Sequence, residues 1–223
     1  MALECDHPFT KVDVRCYAGM MLNAMRQEGQ TLNEVASEQI RLAEDSHFRG
    51  WLGAAIWNKG AALVLLGQYS EGISLLCKGI EIDKTAGIYL FLPGALGYLC
   101  RGYIQLRQVD QAMHTIKEAL SLVKQTGEGH WEAELNRIYA TLLRLTDDDS
   151  GAEACLLKSI EIARHQAARS WELRSSIDLY RLWCSKGKVS EANHLLTNIY
   201  NWFTEGHATN DLTTARDLLA LTA

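Results

Sequence analysis

Proline is nearly absent, with 2 residues against 17 glycines in 223, a balance that excludes collagen-like and low-complexity chains and fits an ordinary soluble globular protein. Long apolar runs are also missing. The most apolar stretch, Ile88 to Cys100, is 13 residues long and contains Pro93, too short for the roughly 20 residues that cross a bilayer. Positive charge is not in excess: 22 Lys and Arg face 27 Asp and Glu, a net charge of −5. No whole-molecule attraction to nucleic acid or to an anionic membrane follows. The six cysteines, at 5, 16, 77, 100, 155 and 184, never come closer than 11 apart, so no Cys-x-x-Cys pair exists for zinc or redox chemistry. Free, mostly buried thiols in a reducing compartment are expected. The opening Met1-Ala-Leu-Glu-Cys-Asp lacks a basic segment followed by an apolar one. The expectation is a soluble, cytoplasmic protein.

Catalytic templates fail residue by residue. The seven histidines are never closer than 13 apart, which rules out a His-Glu-x-x-His helix, and no Gly-x-Ser-x-Gly elbow occurs. Gly187-Lys188-Val189-Ser190 hints at a phosphate loop, but the position of that motif's first glycine is Leu182. Asp147, Asp148 and Asp149 could draw a cation; a hard-cation site needs about six oxygens, and an acidic turn ahead of a helix is explained by the helix dipole. No catalytic residue, metal or cofactor is predicted, and the chain reads as non-enzymatic.

What the chain does contain is a repeat. Trp51, Phe91, Trp131 and Trp171 are spaced by 40, as are Gly72, Ala112, Ala152 and Ala192, and Leu76, Ile116, Leu156 and Leu196. Ile40, Ile80, Leu120, Ile160 and Tyr200 make a further column. Within a unit the apolar positions recur at three-to-four spacing over two stretches, so each unit is predicted to be a pair of amphipathic helices. The small residue of the 72 column lets the second helix approach the first closely. Ser70, Asp110, Ser150 and Ser190 lie where N-caps are expected, and Ser150 with Glu153, like Thr31 with Glu34, has capping-box spacing. Pro93 falls near the start of a first helix, where its missing N–H does no harm, and that helix is expected to start late or bend there. The expected organisation is one domain over 1–223: a divergent first pair at 8–45, four full pairs over 49–205, and a capping helix at 211–221.

This pattern resembles the tetratricopeptide (TPR) repeat, although its 40-residue period exceeds the usual length of about 34. The resemblance implies an all-α, TPR-like right-handed α-solenoid of helical hairpins. His130-Trp-Glu-Ala-Glu-Leu-Asn-Arg-Ile-Tyr resembles, more narrowly, the last repeats of bacterial signalling proteins. Those proteins join a class III adenylate or guanylate cyclase, or another output domain, to an ATPase module and a C-terminal TPR-like domain. Ala168-Arg-Ser-Trp-Glu-Leu-Arg and Tyr200-Asn-Trp-Phe-Thr-Glu-Gly, with Asp211-Leu, point the same way. The resemblance implies a regulatory repeat domain; no cyclase or nucleotide-binding part is present, so neither activity carries over.

Stacked hairpins place first helices on a concave face. Rotating about 130° from the inward arc 51, 55, 58, 62 selects the columns 54, 57, 61 and 64. Their 16 positions hold Arg101, Arg137, Arg144, Arg174 and Arg181 against one acid, Glu134, where composition would place about 1.6 basic residues. Trp57, the tryptophan that falls off the inward arc, adds apolar footing with Ile104, whereas Trp183 belongs to a buried column with Leu63, Tyr103 and Leu143. Ligand recognition by this stripe competes with the alternative that the arginines pair within the protein, as Glu134 and Arg137 can at i, i+3. The functional expectation is a non-enzymatic scaffold or regulatory module that binds a protein or peptide partner, an acidic one among the candidates, in its concave groove, with homo-oligomerisation open. The alternatives are a small-metabolite sensor and a regulatory fragment of a cyclase or ATPase signalling protein. Nucleic acid and membrane partners are not expected.

Overall fold

The computed structural model describes residues 26–45 and 51–221; residues 8–25 of the expected first pair lie outside them. The described residues form helices and no strand. They fall into two compact units, divided between Glu128 and Gly129. The first contains α1 (Gly29–Asp45), α2 (Leu52–Leu65), α3 (Tyr69–Thr85), α4 (Leu92–Gln105) and α5 (Val109–Thr126). The second opens with a 3-10 turn at Gly129–Trp131 and continues with α6 (Glu132–Leu145), α7 (Asp149–His165), α8 (Arg169–Ser185), α9 (Val189–Tyr200) and α10 (Asn210–Ala220). Within each unit consecutive helices pack against one another, and alternate first helices also touch, α2 with α4 and α6 with α8.

The sequence repeat has a backbone counterpart. Positive φ recurs at Gln27, Gly67, Arg107, Asp147 and Gly187, and in the intervening phase at Gly87, Gly127 and Ala167. Each residue of the first set from Gly67 onward closes a helix. The next residue's N–H then reaches back to the final turn: Gln68 to Leu63 O, Gln108 to Tyr103 O, Asp148 to Leu143 O and Lys188 to Trp183 O, at 2.8–3.0 Å. This is the Schellman arrangement, in which a left-handed residue after the helix satisfies orphan carbonyls. Gln68, Gln108, Asp148 and Lys188 are therefore the N-caps of the following helices.

That geometry corrects the expected caps. Ser70, Asp110, Ser150 and Ser190 are each the second residue inside their helix, because the two-residue turn delivers the chain into the helix two positions earlier. Of the four N-caps it is Asp148 whose side chain accepts a hydrogen bond, from the Gly151 N–H at 2.8 Å. The acidic turn thus serves a helix N-terminus. Glu153 does not complete a box with Ser150; it accepts from Trp183 Nε1 at 2.7 Å, Lys188 at 3.0 Å and Lys186 at 3.1 Å. The Trp183 hydrogen bond and then these ammonium groups hold its carboxyl down to about 2. Thr31 likewise lies inside the first turn of α1. Pro93 sits in the first turn of α4, and that helix starts at Leu92, in register with Leu52 and Glu132 rather than late.

The cores follow the repeat columns. Phe91, Trp131 and Trp171 are buried, as are Leu76, Ile116, Leu156 and Leu196 at the centres of the second helices. Trp131 and Trp171 sit ring to ring with centroids 5.4 Å apart, so successive repeats in the second unit meet through this column. In the first unit α2 and α3 approach until backbones touch. A Cβ on Gly79 would stand 2.6 Å from Gly53 O and from Trp57 N, and one on Gly60 would stand 2.7 Å from Gly72 O. Glycine is required at these crossings because nothing larger fits. The expectation of mostly buried thiols fails among the described cysteines: Cys100 is buried, Cys155 and Cys184 are half-buried and Cys77 is exposed.

Candidate ligand-binding cleft

The arginine stripe divides once packing is taken into account. Glu134 is 1% exposed and Arg174 5%. They occupy equivalent positions on the adjacent helices α6 and α8, and their side chains meet at 3.8 Å. A first helix in a stack is flanked by its own second helix and by a first helix of the next repeat, so the solvent-facing arc is narrower than a lone hairpin would leave. The exposed positions are Thr141 and Arg144 on α6 and Arg181 and Ser185 on α8: water reaches the 61 and 64 ends of the chosen columns, while Glu134 and Arg174 of the 54 column are covered.

Trp57 is the clearest correction. It is 1% exposed, and its Nε1 donates to Asp83 Oδ2 at 2.9 Å. The glycine-mediated approach of α2 and α3 folds its indole into the hairpin, so it offers no footing for a ligand; Ile104 is buried as well. Burial lifts the Asp83 carboxyl, against the opposing hydrogen bond from Trp57, to about 6. Trp183 also departs from expectation, being half-buried, with Lys188 lying 5.8 Å from its ring centroid. Arg101 belongs to the first unit, half-buried on α4 with its guanidinium 5.6 Å from the Tyr98 ring centroid.

In the second unit the charges form a chain across three helices. Arg137 is gripped by both oxygens of Glu134 at 2.7 and 2.8 Å and donates to Asp178 Oδ2 at 2.7 Å. Burial works against its charge, but the two carboxylates prevail and hold the guanidinium protonated more firmly than usual. Arg174 donates to Asp211 Oδ2 at 2.6 and 3.1 Å and lies 5.0 Å from the Trp171 ring centroid. Asp211 is in the first turn of α10, so this pair fastens the last helix to α8. Three guanidinium groups, Arg137, Arg174 and Arg181, are thereby matched by Glu134, Asp178 and Asp211. The intramolecular alternative holds for Arg137, Arg174 and Glu134.

Arg144 and Arg181 are placed differently. They line one cleft of about 340 Å³ with Asp178 and Thr141, over an aliphatic floor of Ala140, Leu145 and Leu156. Arg181 is 49% exposed and stands 3.5 Å from Asp178; Arg144 is 43% exposed and 3.6 Å from Asp149. Such solvent-facing pairs are worth little, about 0–1 kcal/mol. Both guanidinium forks can therefore accept a carboxylate or phosphate in the bidentate manner arginine favours. The sequence reading missed Asp178 and Asp211. Asp178 carried a signal, a charged residue in the inward 58 column spaced i+4 from Arg174 and i−3 from Arg181. Asp211, 37 residues from its partner, carried none. Among the described residues no group of three or more His, Cys, Asp or Glu could hold a metal ion, and no helix is long and apolar enough to cross a membrane.

No known family's sequence profile matches the chain. No curated protein matches it either. Solved structures do. A Rap protein complexed with competence and sporulation factor has a TM-score of 0.71 at 13% identity, covering 97% of this chain and 66% of that one. BtubC (BKLC) from P. vanneervenii has a TM-score of 0.66 at 18% identity, covering 90% of this chain and 82% of that one. A Podosopora anserina kinesin light chain-like protein with nearly identical TPR-like repeats has a TM-score of 0.57 at 16% identity, covering 88% of this chain and 95% of that one. At these identities the likeness concerns the fold, and the fold it establishes is the all-α, TPR-like helical repeat of the solenoid class.

Proposed function

We propose that this chain is a non-enzymatic regulatory or scaffolding module that captures a protein or peptide partner by seating one of its acidic groups in the Arg144–Arg181 cleft. The observation that carries the reading is the contrast within a single stripe. Arg137 and Arg174 are themselves largely buried and held at 2.6–2.8 Å by Glu134, Asp178 and Asp211, whereas Arg144 and Arg181 are exposed and keep loose partners at 3.6 and 3.5 Å over an aliphatic floor. A preformed cleft with two uncommitted guanidinium groups spends little on ordering when a ligand arrives. The complex in which a Rap protein of similar fold is seen with competence and sporulation factor supports a capturing role. Arg101, in the first unit, is a candidate contact of its own.

The finer setting, a cytoplasmic regulatory domain of bacterial cyclase- or ATPase-linked signalling proteins, rests on the segments at His130, Ala168 and Tyr200. Two of these and the adjoining Asp211 contribute Glu134, Arg137, Arg174 and Asp211 to the buried charge chain. A small anionic effector is the second reading, favoured by a cleft volume of about 340 Å³, within the range of small-molecule sites.

The two arginine classes give the test. Arg144→Ala with Arg181→Ala is expected to abolish capture of an acidic peptide while shifting stability by less than about 1 kcal/mol. Arg137→Ala should instead cost about 3–5 kcal/mol, by taking the bidentate partner from the buried Glu134, and Arg174→Ala about 1–3 kcal/mol, by freeing the partly buried Asp211. Undiminished capture by the Arg144/Arg181 double variant sinks the proposal. Thermal shifts with anionic metabolites separate the effector reading from the partner reading.

A further inference from the structure

Within the cleft assigned above, Asp178 stands between two arginines that are held very differently. Its Oδ2 accepts from Arg137 Nη1 at 2.7 Å, and Arg137 is anchored in turn by the buried Glu134. Its Oδ1 faces Arg181 Nη1 at 3.5 Å, and Arg181 reaches into solvent from the cleft rim. One carboxylate thus serves a packed pair and a loose pair at once.

We propose that Asp178 is an exchangeable counter-ion: an incoming carboxylate or phosphate takes Arg181 away from it, and Asp178 stays satisfied because Arg137 retains its other oxygen. The inference rests on the cleft being the partner's anion site. Giving up a rim pair weakens an equilibrium by about fivefold at most. Leaving the partly buried Asp178 without any partner costs more, about tenfold or above. With Arg137 in place the exchange involves the first cost and avoids the second. Without Arg137, Asp178 would turn to Arg181 as its one remaining partner and close the cleft. Arg137 is therefore a positioning residue that keeps Arg181 available, not the ligand contact its column suggested.

The test has an arm without ligand and an arm with it, both on the full chain. Double-mutant cycles on the folding equilibrium should give a coupling above about tenfold for Arg137→Met with Asp178→Asn, and below about fivefold for Arg181→Ala with Asp178→Asn. The reverse order overturns the proposal. For binding, the probes are a fluorescein-labelled octaglutamate peptide and inorganic phosphate at fixed ionic strength. Asp178→Asn should tighten the probe about two- to fivefold by removing the competitor, and Arg137→Met should weaken it. Adding Asp178→Asn to Arg137→Met should restore wild-type affinity, which a merely structural lesion would not allow. Weakening by Asp178→Asn, or absence of rescue, overturns the exchange. Binding of the peptide alone, or of phosphate alone, identifies the source of the anion and supports the exchange wherever the variant order holds. A wild-type chain that binds neither probe brings down the anion reading of the cleft, whereas binding with the wrong variant order brings down only the exchange.

Discussion

Replacing Asp83 by asparagine should raise stability at neutral pH, and the size and pH dependence of the gain follow from its surroundings. Asp83 is 1% exposed; its Oδ2 accepts from Trp57 Nε1 at 2.9 Å, and its Oδ1 lies where a Cβ on Gly53 would be, at 1.9 Å. Burial lifts its carboxyl from 3.8 to about 6, so the folded state binds this proton more tightly than the unfolded chain. Protonation then favours the fold: the contribution of Asp83 is most favourable below the unfolded value, declines as pH rises through the window from about 4 to about 6, and is flat above it. A displacement of about two units corresponds to roughly 3 kcal/mol across that window. Asparagine keeps an acceptor for the Trp57 N–H, but its amide N–H groups have little room beside Gly53, a fixed cost of about 1–3 kcal/mol. The difference between variant and wild type should therefore shift by about 3 kcal/mol in the variant's favour between about pH 4 and about pH 7, whatever its offset. Taking the difference cancels carboxylates such as Glu153, whose depressed value acts in the opposite direction at lower pH. Urea unfolding followed by far-UV circular dichroism at several pH values measures it. A difference that stays constant within about 0.5 kcal/mol over that range would refute the assignment of a desolvated, titrating Asp83.

Two further outcomes probe the turns and the helix crossings. Ala167 adopts φ +54° in a turn where other repeats carry glycine. Ala167→Gly should relieve a left-handed strain of about 1–2 kcal/mol, less the added chain entropy of about 0.5–1 kcal/mol, and raise Tm by about 1–4 °C; a lowered Tm in a melt would contradict this. Gly79→Ala would push a Cβ to within 2.6 Å of two backbone atoms that cannot rotate away, and about 1–3 kcal/mol of destabilisation is expected. Gly151→Ala meets the side chain of Asp148 alone. The helix-propensity gain of about 1 kcal/mol is offset by disturbance of the Asp148 cap, so a net effect within about 1 kcal/mol of zero is expected. Equal effects at the two glycines, read by chemical denaturation, would dismiss the close-crossing account.

Much of the helical pairing was legible in the sequence because it is written in periodic columns. Trp131 and Trp171, spaced by 40, do meet ring to ring, and Pro93 does lie in a first turn. The caps were misread by two positions, since the serine column was judged by residue preference while the turn is set by left-handed residues such as Arg107 and Ala167, whose side chains do not advertise φ > 0. Gly67 and Gly187 do advertise it. The candidate site was legible only in part. Arg144 and Arg181 reach the cleft; Trp57, Glu134 and Arg174 are buried in the packing.

By itself the sequence determined the forty-residue rhythm, the helical hairpins and the two classes of side chain, bulky and small, that let them stack. These depend on local periodicity, which each segment carries within a few turns. Only the tertiary structure decided which arc of a first helix faces water, and which arginines have a carboxylate waiting for them. That depends on groups such as Asp178 and Asp211, delivered from 41 and 37 residues away. A chain's own spacing cannot report the charge of a neighbour that folding has yet to bring alongside.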